Sequence, residues 1–144
     1  MSQEPDYRLS LDPADLQLDV VHGFLQRAPW SPGIPRELVA RAARNSLVAG
    51  VFAPDGSQVG YARLITDQAA FGWVCDVFVH EDHRRRGLAR RMVRALLEHP
   101  SARSLRRIML TTEDAHGVYR PLGFRDTARP EIYMEILRPG NYAL

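Results

Sequence analysis

The sequence predicts one α+β domain, and three observations carry that prediction. The chain is 144 residues long, which suits a single compact domain over residues 1–144 and leaves little room for a second. Hydrophobic residues make up 45% and charged residues 25%, a balance that supplies a core and excludes wholesale disorder. Apolar runs joined by a tight turn come early, and a strand–helix–strand order comes later, so antiparallel strands should precede a crossover.

Each element has a local reason. Tyr7-Arg8-Leu9-Ser10-Leu11 reads as a short first strand. Asp12-Pro13 looks like a helix start, with Asp12 as N-cap and Pro13 at the first helical position. Leu16, Val20, Val21, Phe24 and Leu25 recur at helical spacing, which carries that helix to about Arg27. Trp30-Ser31-Pro32-Gly33-Ile34-Pro35 is a stiff loop. A second helix follows from about Pro35 to Asn45, with Leu38, Val39 and Ala42 on one face. Leu47–Phe52 and Gln58–Ile65 are strands around the turn Pro54-Asp55-Gly56-Ser57. Trp73–Val79 is a third long strand. Gly87–His99 is an amphipathic helix whose apolar stripe is Leu88, Ala89, Met92, Val93, Leu96 and Leu97. Arg107–Thr111 is a strand, Asp114–Leu122 a short helix, and Phe124–Thr127 and Ile132–Leu137 closing strands.

Charge is unevenly placed. The net charge is +2, and all 19 basic residues are arginine. Residues 84–107 carry +8, residues 1–83 carry −5, and residues 108–144 carry −1. A basic block in an otherwise acidic chain marks a local polyanion site or a solvated helix face. Phosphate is the natural anion, because guanidinium meets it in a bidentate way.

The block opens after a β-run. Cys75-Asp76-Val77-Phe78-Val79 leads through a polar turn into Arg84-Arg85-Arg86-Gly87-Leu88-Ala89. First-turn amides of the following helix lack internal partners, and the helix dipole adds positive charge there. Gly87 and Ala89 remove bulk where a phosphate would approach the backbone. The absence of lysine excludes a Walker-type loop, and no Gly-x-Gly-x-x-Gly dinucleotide fingerprint is present.

These residues resemble the GNAT acetyltransferase family. Val77-Phe78-Val79 followed by Arg84-x-x-Gly87-x-Ala89 is similar to that family's Arg/Gln-x-x-Gly-x-Gly/Ala motif for acetyl-coenzyme A. Downstream, Ala115-x-x-x-Tyr119-x-x-x-Gly123-Phe124 matches the family's later motif at every fixed position. The resemblance spans nearly the whole chain. It implies a three-layer, mixed, mostly antiparallel central sheet flanked by about four helices. It also implies an N-acetyltransferase that moves an acetyl group from acetyl-coenzyme A to a primary amine by direct attack. Backbone groups of Val77 and Val79, flanking Phe78, would pair with the pantetheine arm. Amides from Arg85 through Arg86, Gly87 and Leu88 to Ala89, with Arg84 and Arg90 nearby, would hold the phosphates.

The resemblance puts Tyr119 beside the thioester sulfur as general acid, and a phenol with an ordinary pKa near 10 suits a thiolate of comparable basicity. A backbone amide near Val77 would polarise the carbonyl. Asp76 has two readings: a base or amine anchor in the acceptor cleft, or a strand acid paired with an arginine. Simple alternation sends it to the face opposite Val77, and a bulge would change that phase. Trp30 is either a wall of the acceptor site or a plug in the core. Asp19 and Glu37 could attract a cationic acceptor. Cys75 has no activating base in sequence and reads as a small hydrophobe. His80 and His83 read as surface groups, and the five histidines lack metal-ligand spacing.

Two other classes compete: a nucleic-acid-binding module using the basic block, and a catalytically silent acyl-coenzyme A binder. The acidic flanks disfavour a long polyanion, so neither nucleic acid nor membrane is an expected partner. The expected partner is a small-molecule or peptide amine. A homodimer is compatible with the resemblance, with Phe124–Leu137 contributing. The polar start is unlike a secretory signal, and the lone cysteine fits a reducing cytoplasmic compartment. With no lysine side chain, the N-terminal amine is the only ordinary amine target within the chain.

Overall fold

The computed structural model describes residues 6–138 and Tyr142. Met1, whose amine was noted above, lies outside them. Five strands form one sheet in sequence order: β1 (Arg8–Ser10), β2 (Leu47–Phe52), β3 (Gln58–Thr66), β4 (Phe71–Val79) and β5 (Arg107–Met109). The first four pair antiparallel and β5 joins β4 in parallel. The helices are α1 (Leu18–Leu25), α2 (Arg36–Arg44), α3 (Leu88–Leu97) and α4 (His116–Tyr119). Five mostly antiparallel strands and four helices make the expected α+β fold.

The helices make a layer on each side of the sheet. Val21 and Leu25 of α1 and Val39 and Ala43 of α2 pack with Val48, Tyr61 and Phe78. Leu88, Met92, Val93 and Leu96 of α3 pack with Ala49, Val51, Ala62, Leu64 and Val74. Each fully buried side chain of this size contributes about 1.5–3 kcal/mol of transfer free energy. Alternation along β2 and β3 divides these residues between the two clusters, as the period of 2 requires.

The stripe of α3 is buried as predicted, with Ala89 and Leu97 half-buried. Several expectations need correction. Asp12 does cap, accepting from the Ala14 amide at 2.9 Å, but it starts only a 3₁₀ turn, Pro13–Asp15. The chain is extended at Leu16. Gln17 donates from its backbone to the Gln58 side chain at 2.7 Å, and from its own side chain to the Gly56 carbonyl at 2.8 Å. These tertiary bonds delay the α-helix to Leu18. The buried face of α2 is Val39, Ala40 and Ala43 rather than Leu38, Val39 and Ala42.

The largest correction is at the end of the chain. The helix expected over Asp114–Leu122 is one α-turn, α4, followed by a 3₁₀ turn at Arg120–Leu122 containing Pro121. Pro121 has no amide hydrogen to continue the α ladder. The expected strands Phe124–Thr127 and Ile132–Leu137 are not in the sheet. A 3₁₀ turn occupies Pro130–Ile132, and the residues from Arg125 to Arg138 are exposed. A strand needs a paired edge to satisfy its backbone, and neither segment has one among the described residues.

Candidate active site

β4 is nine residues long, yet it pairs with β5 only from Phe71 to Trp73. Beyond that point the two strands part, so the edge of β4 from Val74 to Val79 faces a wedge instead of a strand. Val77, Phe78 and Val79 lie on this open edge. An extended guest can add to it as a strand would.

The bulge that alternation left open is present. Arg63 pairs with Cys75 and Tyr61 with Phe78, so β4 inserts one extra residue against β3. Asp76 takes φ +55° there, a left-handed conformation that an aspartate adopts more readily than most side chains. The bulge turns its carboxylate to Arg63, whose Nε donates to Oδ2 at 2.9 Å; the two side chains are only 15% and 14% exposed. Arg63 Nη1 also donates to Ser46 Oγ at 3.1 Å. The second oxygen, Oδ1, accepts from the Trp30 indole at 3.1 Å. Asp76 is therefore the arginine-paired strand acid of the two readings, and both of its oxygens are engaged.

Trp30 is 52% exposed and so is not a core plug, and its ring tilts against Phe24 at 6.3 Å. Phe24 stacks on Phe78 at 3.9 Å, and His80 stands edge-on to both. The loop is held by Ser31 Oγ donating to the Leu25 carbonyl at 2.7 Å and by His22 Nε2 against the Ile34 carbonyl at 3.0 Å. His80 and His83 are half-buried, contrary to the surface reading: His83 Nδ1 meets the Tyr7 hydroxyl at 2.8 Å. Asp19 and Glu37 lie apart from this wall in exposed pairs, with Arg36 and with Arg41 and Arg44 respectively.

At the far end of β4, the chain enters α3 through Gly87 at φ +72°. A side chain there would be strained although nothing lies within 4 Å of its Cβ position. Arg85 is also left-handed. The first backbone amide of this turn to find an acceptor in the helix is that of Arg91, bonded to the Gly87 carbonyl at 3.0 Å. Among the described residues, the amides of Arg85 and of Gly87 to Arg90 have no backbone acceptor. Those amides, a bulk-free Gly87 and the small Ala89 make a helix start of the kind that favours an anion.

The arginines divide into distinct roles. Arg84 Nε donates to the Val79 carbonyl at 2.8 Å and so ties the turn to the end of β4. Arg86 lies over the Tyr7 ring at 5.8 Å. Arg90 reaches the Gly117 carbonyl at 3.3 Å and links α3 to α4. Its Nε is buried without a partner. Arg91 donates to the Tyr7 carbonyl at 3.1 Å.

Tyr119 ends α4 and is 9% exposed. It belongs to the buried cluster against which Val77, Ala89 and Leu110 pack, and its ring meets Phe124 edge-on at 5.8 Å. Burial raises its phenol pKa above the ordinary value. The turn before it is capped by Thr112, whose hydroxyl accepts from the Ala115 amide at 2.9 Å. Cys75 is inert by environment: burial pushes its thiol up to about 12. Sequence reasoning missed Arg63 and Phe24. Arg63 sits at an ordinary strand position, and no spacing rule links it to Asp76. Phe24 read as one more apolar residue of a helix.

The acetyltransferase (GNAT) family profile matches residues 17–124, and this chain belongs to that family. It is 39% identical to a candidate GNAT-family acetyltransferase from Xanthomonas campestris pv. campestris, with a TM-score of 0.90 over 99% of this chain and all of that one. It is 32% identical to a candidate acetyltransferase of Gibberella zeae, over 84% of this chain and 80% of the relative. A Clostridium acetobutylicum acetyltransferase crystallised with acetyl-coenzyme A shares the fold, with a TM-score of 0.65 at 19% identity over 93% of this chain and 96% of that one. Acetyl transfer is thus the class of chemistry to which the chain belongs.

Proposed function

We propose that this protein is an N-acetyltransferase that uses acetyl-coenzyme A and delivers the acetyl group to a primary amine by direct attack. The observation that carries this reading is the open edge of β4, Val74–Val79, leading to the start of α3, where the amides of Gly87 to Arg90 have no backbone acceptor among the described residues. One continuous backbone surface therefore serves both the arm and the phosphates of a coenzyme A thioester, as the donor set requires.

When bound, acetyl-coenzyme A supplies an activated acetyl thioester. Val77 and Val79 offer backbone groups to the pantetheine arm, although one lone pair of the Val79 carbonyl is committed to Arg84. Amides of Arg85–Arg90 hold the phosphates, with exposed Arg85 and Arg86 adding charge. The bulge at Asp76 tips the adjacent amide of Val77 out of ladder register, where it can polarise a carbonyl. Tyr119 holds the proton for the departing thiolate, because burial keeps the phenol neutral across the working range.

With both oxygens bonded, Asp76 serves the acceptor side as a positioning residue, fixing Trp30, more than as a base. Deprotonation of the amine then falls to water. The acceptor meets an aromatic wall of Trp30, Phe24, Phe78 and His80, which suits an amine carrying an apolar or cationic group. The lone unreactive thiol fits a cytoplasmic setting.

The test is thiol release from acetyl-coenzyme A across a panel of amines, alongside calorimetric titration with coenzyme A. Saturable binding with amine-dependent thiol release is expected. Binding without release for any amine would make the protein a silent acyl-coenzyme A binder. Retention on DNA with no coenzyme A binding would overturn the reading altogether.

A further inference from the structure

Three side chains around the start of α3 converge on one residue near the other end of the sequence. The Tyr7 hydroxyl meets His83 Nδ1 at 2.8 Å, and the two rings stand edge-on at 5.7 Å. The Arg86 guanidinium lies over the Tyr7 ring, 5.8 Å from its centroid. Arg91, in α3, donates from Nη1 to the Tyr7 carbonyl at 3.1 Å. Tyr7 is 8% exposed and shares a core cluster with Leu88 and Met92. It immediately precedes β1, whose residues pair with β2. The contact point is therefore fixed in the core and on the sheet.

The turn it meets needs such a support. After His80 the chain makes one 3₁₀ turn, Glu81–His83, and then two residues enter the left-handed region, Arg85 at φ +65° and Gly87 at φ +72°. Glycine adopts that region freely. An arginine does so at a cost, and the conformation persists only where its surroundings hold it. Local bonds act before that point. The His83 amide donates to the His80 carbonyl at 2.9 Å and the Arg84 amide to the Glu81 carbonyl at 3.4 Å. His83 and Arg86 bracket Arg85 in sequence, and both rest on Tyr7.

We infer that Tyr7 is a positioning residue for the phosphate end of the acyl donor. It touches no reacting atom. Its hydroxyl fixes His83 before the left-handed arginine, and its ring seats Arg86 after it. The turn then presents the amides of Arg85 and of Gly87 to Arg90 in one arrangement. This role rests on the proposed use of acetyl-coenzyme A. Phosphates bind more tightly to a turn already ordered, because the ordering cost does not fall on the binding step. The thioester end lies along β4, away from Tyr7, so the role bears on donor affinity and not on the chemical step.

Tyr7→Phe removes the hydroxyl and keeps the ring, so the core contact and the Arg86 stacking remain. Calorimetry should show coenzyme A affinity lowered by about 3- to 10-fold, the worth of one hydrogen bond. In steady-state assays the change should fall on KM for acetyl-coenzyme A and not on kcat. His83→Ala should give a similar loss, and the double variant no more than the larger of the two, since one bond is removed in each case. Unchanged affinity in Tyr7→Phe overturns the role, and so do additive losses in the double variant. Amide hydrogen exchange without ligand separates this role from the donor reading. Exchange over residues 84–90 should be faster in Tyr7→Phe, with β3 unchanged. Equal exchange in the two proteins overturns the anchoring even if coenzyme A binds. Faster exchange in a protein that binds no coenzyme A overturns the donor reading and leaves Tyr7 as the anchor of the turn.

Discussion

The two clefts that flank β5 share that strand and differ in chemistry. On one side β4 parts from β5 and leaves the edge Val74–Val79 open. On the other, Ile108–Thr112 and Phe124–Thr127 line a cavity of about 340 Å³. The difference lies in what surrounds them. The first runs into the start of α3, Gly87 and a triplet of arginines, an environment that favours an anion. The second is lined by Tyr119, Phe124 and a mix of polar and charged side chains, Arg120, Arg125 and Asp126 among them. An open sheet edge thus does not declare its ligand; the charge and bulk at the end of it do.

Tyr119 touches both clefts, which makes its variant the sharpest separation. Tyr119→Phe should lower turnover by about 10²–10⁴-fold while the coenzyme A dissociation constant stays unchanged. Full turnover in steady-state thiol release would remove the general-acid role. Gly87→Glu acts on the first cleft alone. It forces a side chain into the left-handed region and places an anion where phosphate should sit. Calorimetry should show coenzyme A affinity lost by on the order of 100-fold or more, about 3 kcal/mol.

Arg63→Ala should cost about 3 kcal/mol in urea unfolding, because it leaves the mostly buried Asp76 carboxylate with only the Trp30 indole. A loss under ~1 kcal/mol would mean that water replaces the guanidinium. Gly60→Ala is a smaller perturbation beneath the same cleft. A Cβ there would lie 2.7 Å from Val51 Cγ2 and 3.1 Å from the Phe78 carbonyl, so about 1–3 kcal/mol of destabilisation is expected.

The smallest expected effect is a null one. Burial raises the Tyr119 pKa, so the phenol stays protonated through and beyond its ordinary range near 10. The same sign governs stability: its contribution is full below the unfolded value and fades only as pH rises through the raised folded value. The rate should climb with pH as the acceptor amine loses its proton, with no alkaline fall below about 10. A falling limb near neutrality would point to another acid.

Much of the first cleft was legible in the chain. Arg84-x-x-Gly87-x-Ala89 lies on a strand-to-helix turn, and such a turn has only a few unstrained forms, so local sequence sets its shape. Tyr119 was legible through the spacing from Ala115 to Phe124. Arg63 was not, because its partnership with Asp76 depends on a one-residue bulge between two strands, a long-range register. The aromatic wall of Phe24, Trp30 and Phe78 likewise joins three segments with no common period. The closing strands expected over Phe124–Thr127 and Ile132–Leu137 were misread, since neither segment is a strand and Pro130–Ile132 forms a 3₁₀ turn.

The sequence by itself determined the order of elements, the buried stripe of α3, the cradle turn and the all-arginine composition that excludes a Walker lysine. These depend on contacts within a few residues and on periodicity. Tertiary structure alone decided where β4 and β5 part, which way the Asp76 carboxylate turns, that Trp30 stays out of the core, and that Ile132–Leu137 stands uncovered. Each of those depends on which backbone edges find partners, and hydrogen-bond pairing between distant segments leaves no mark in local sequence.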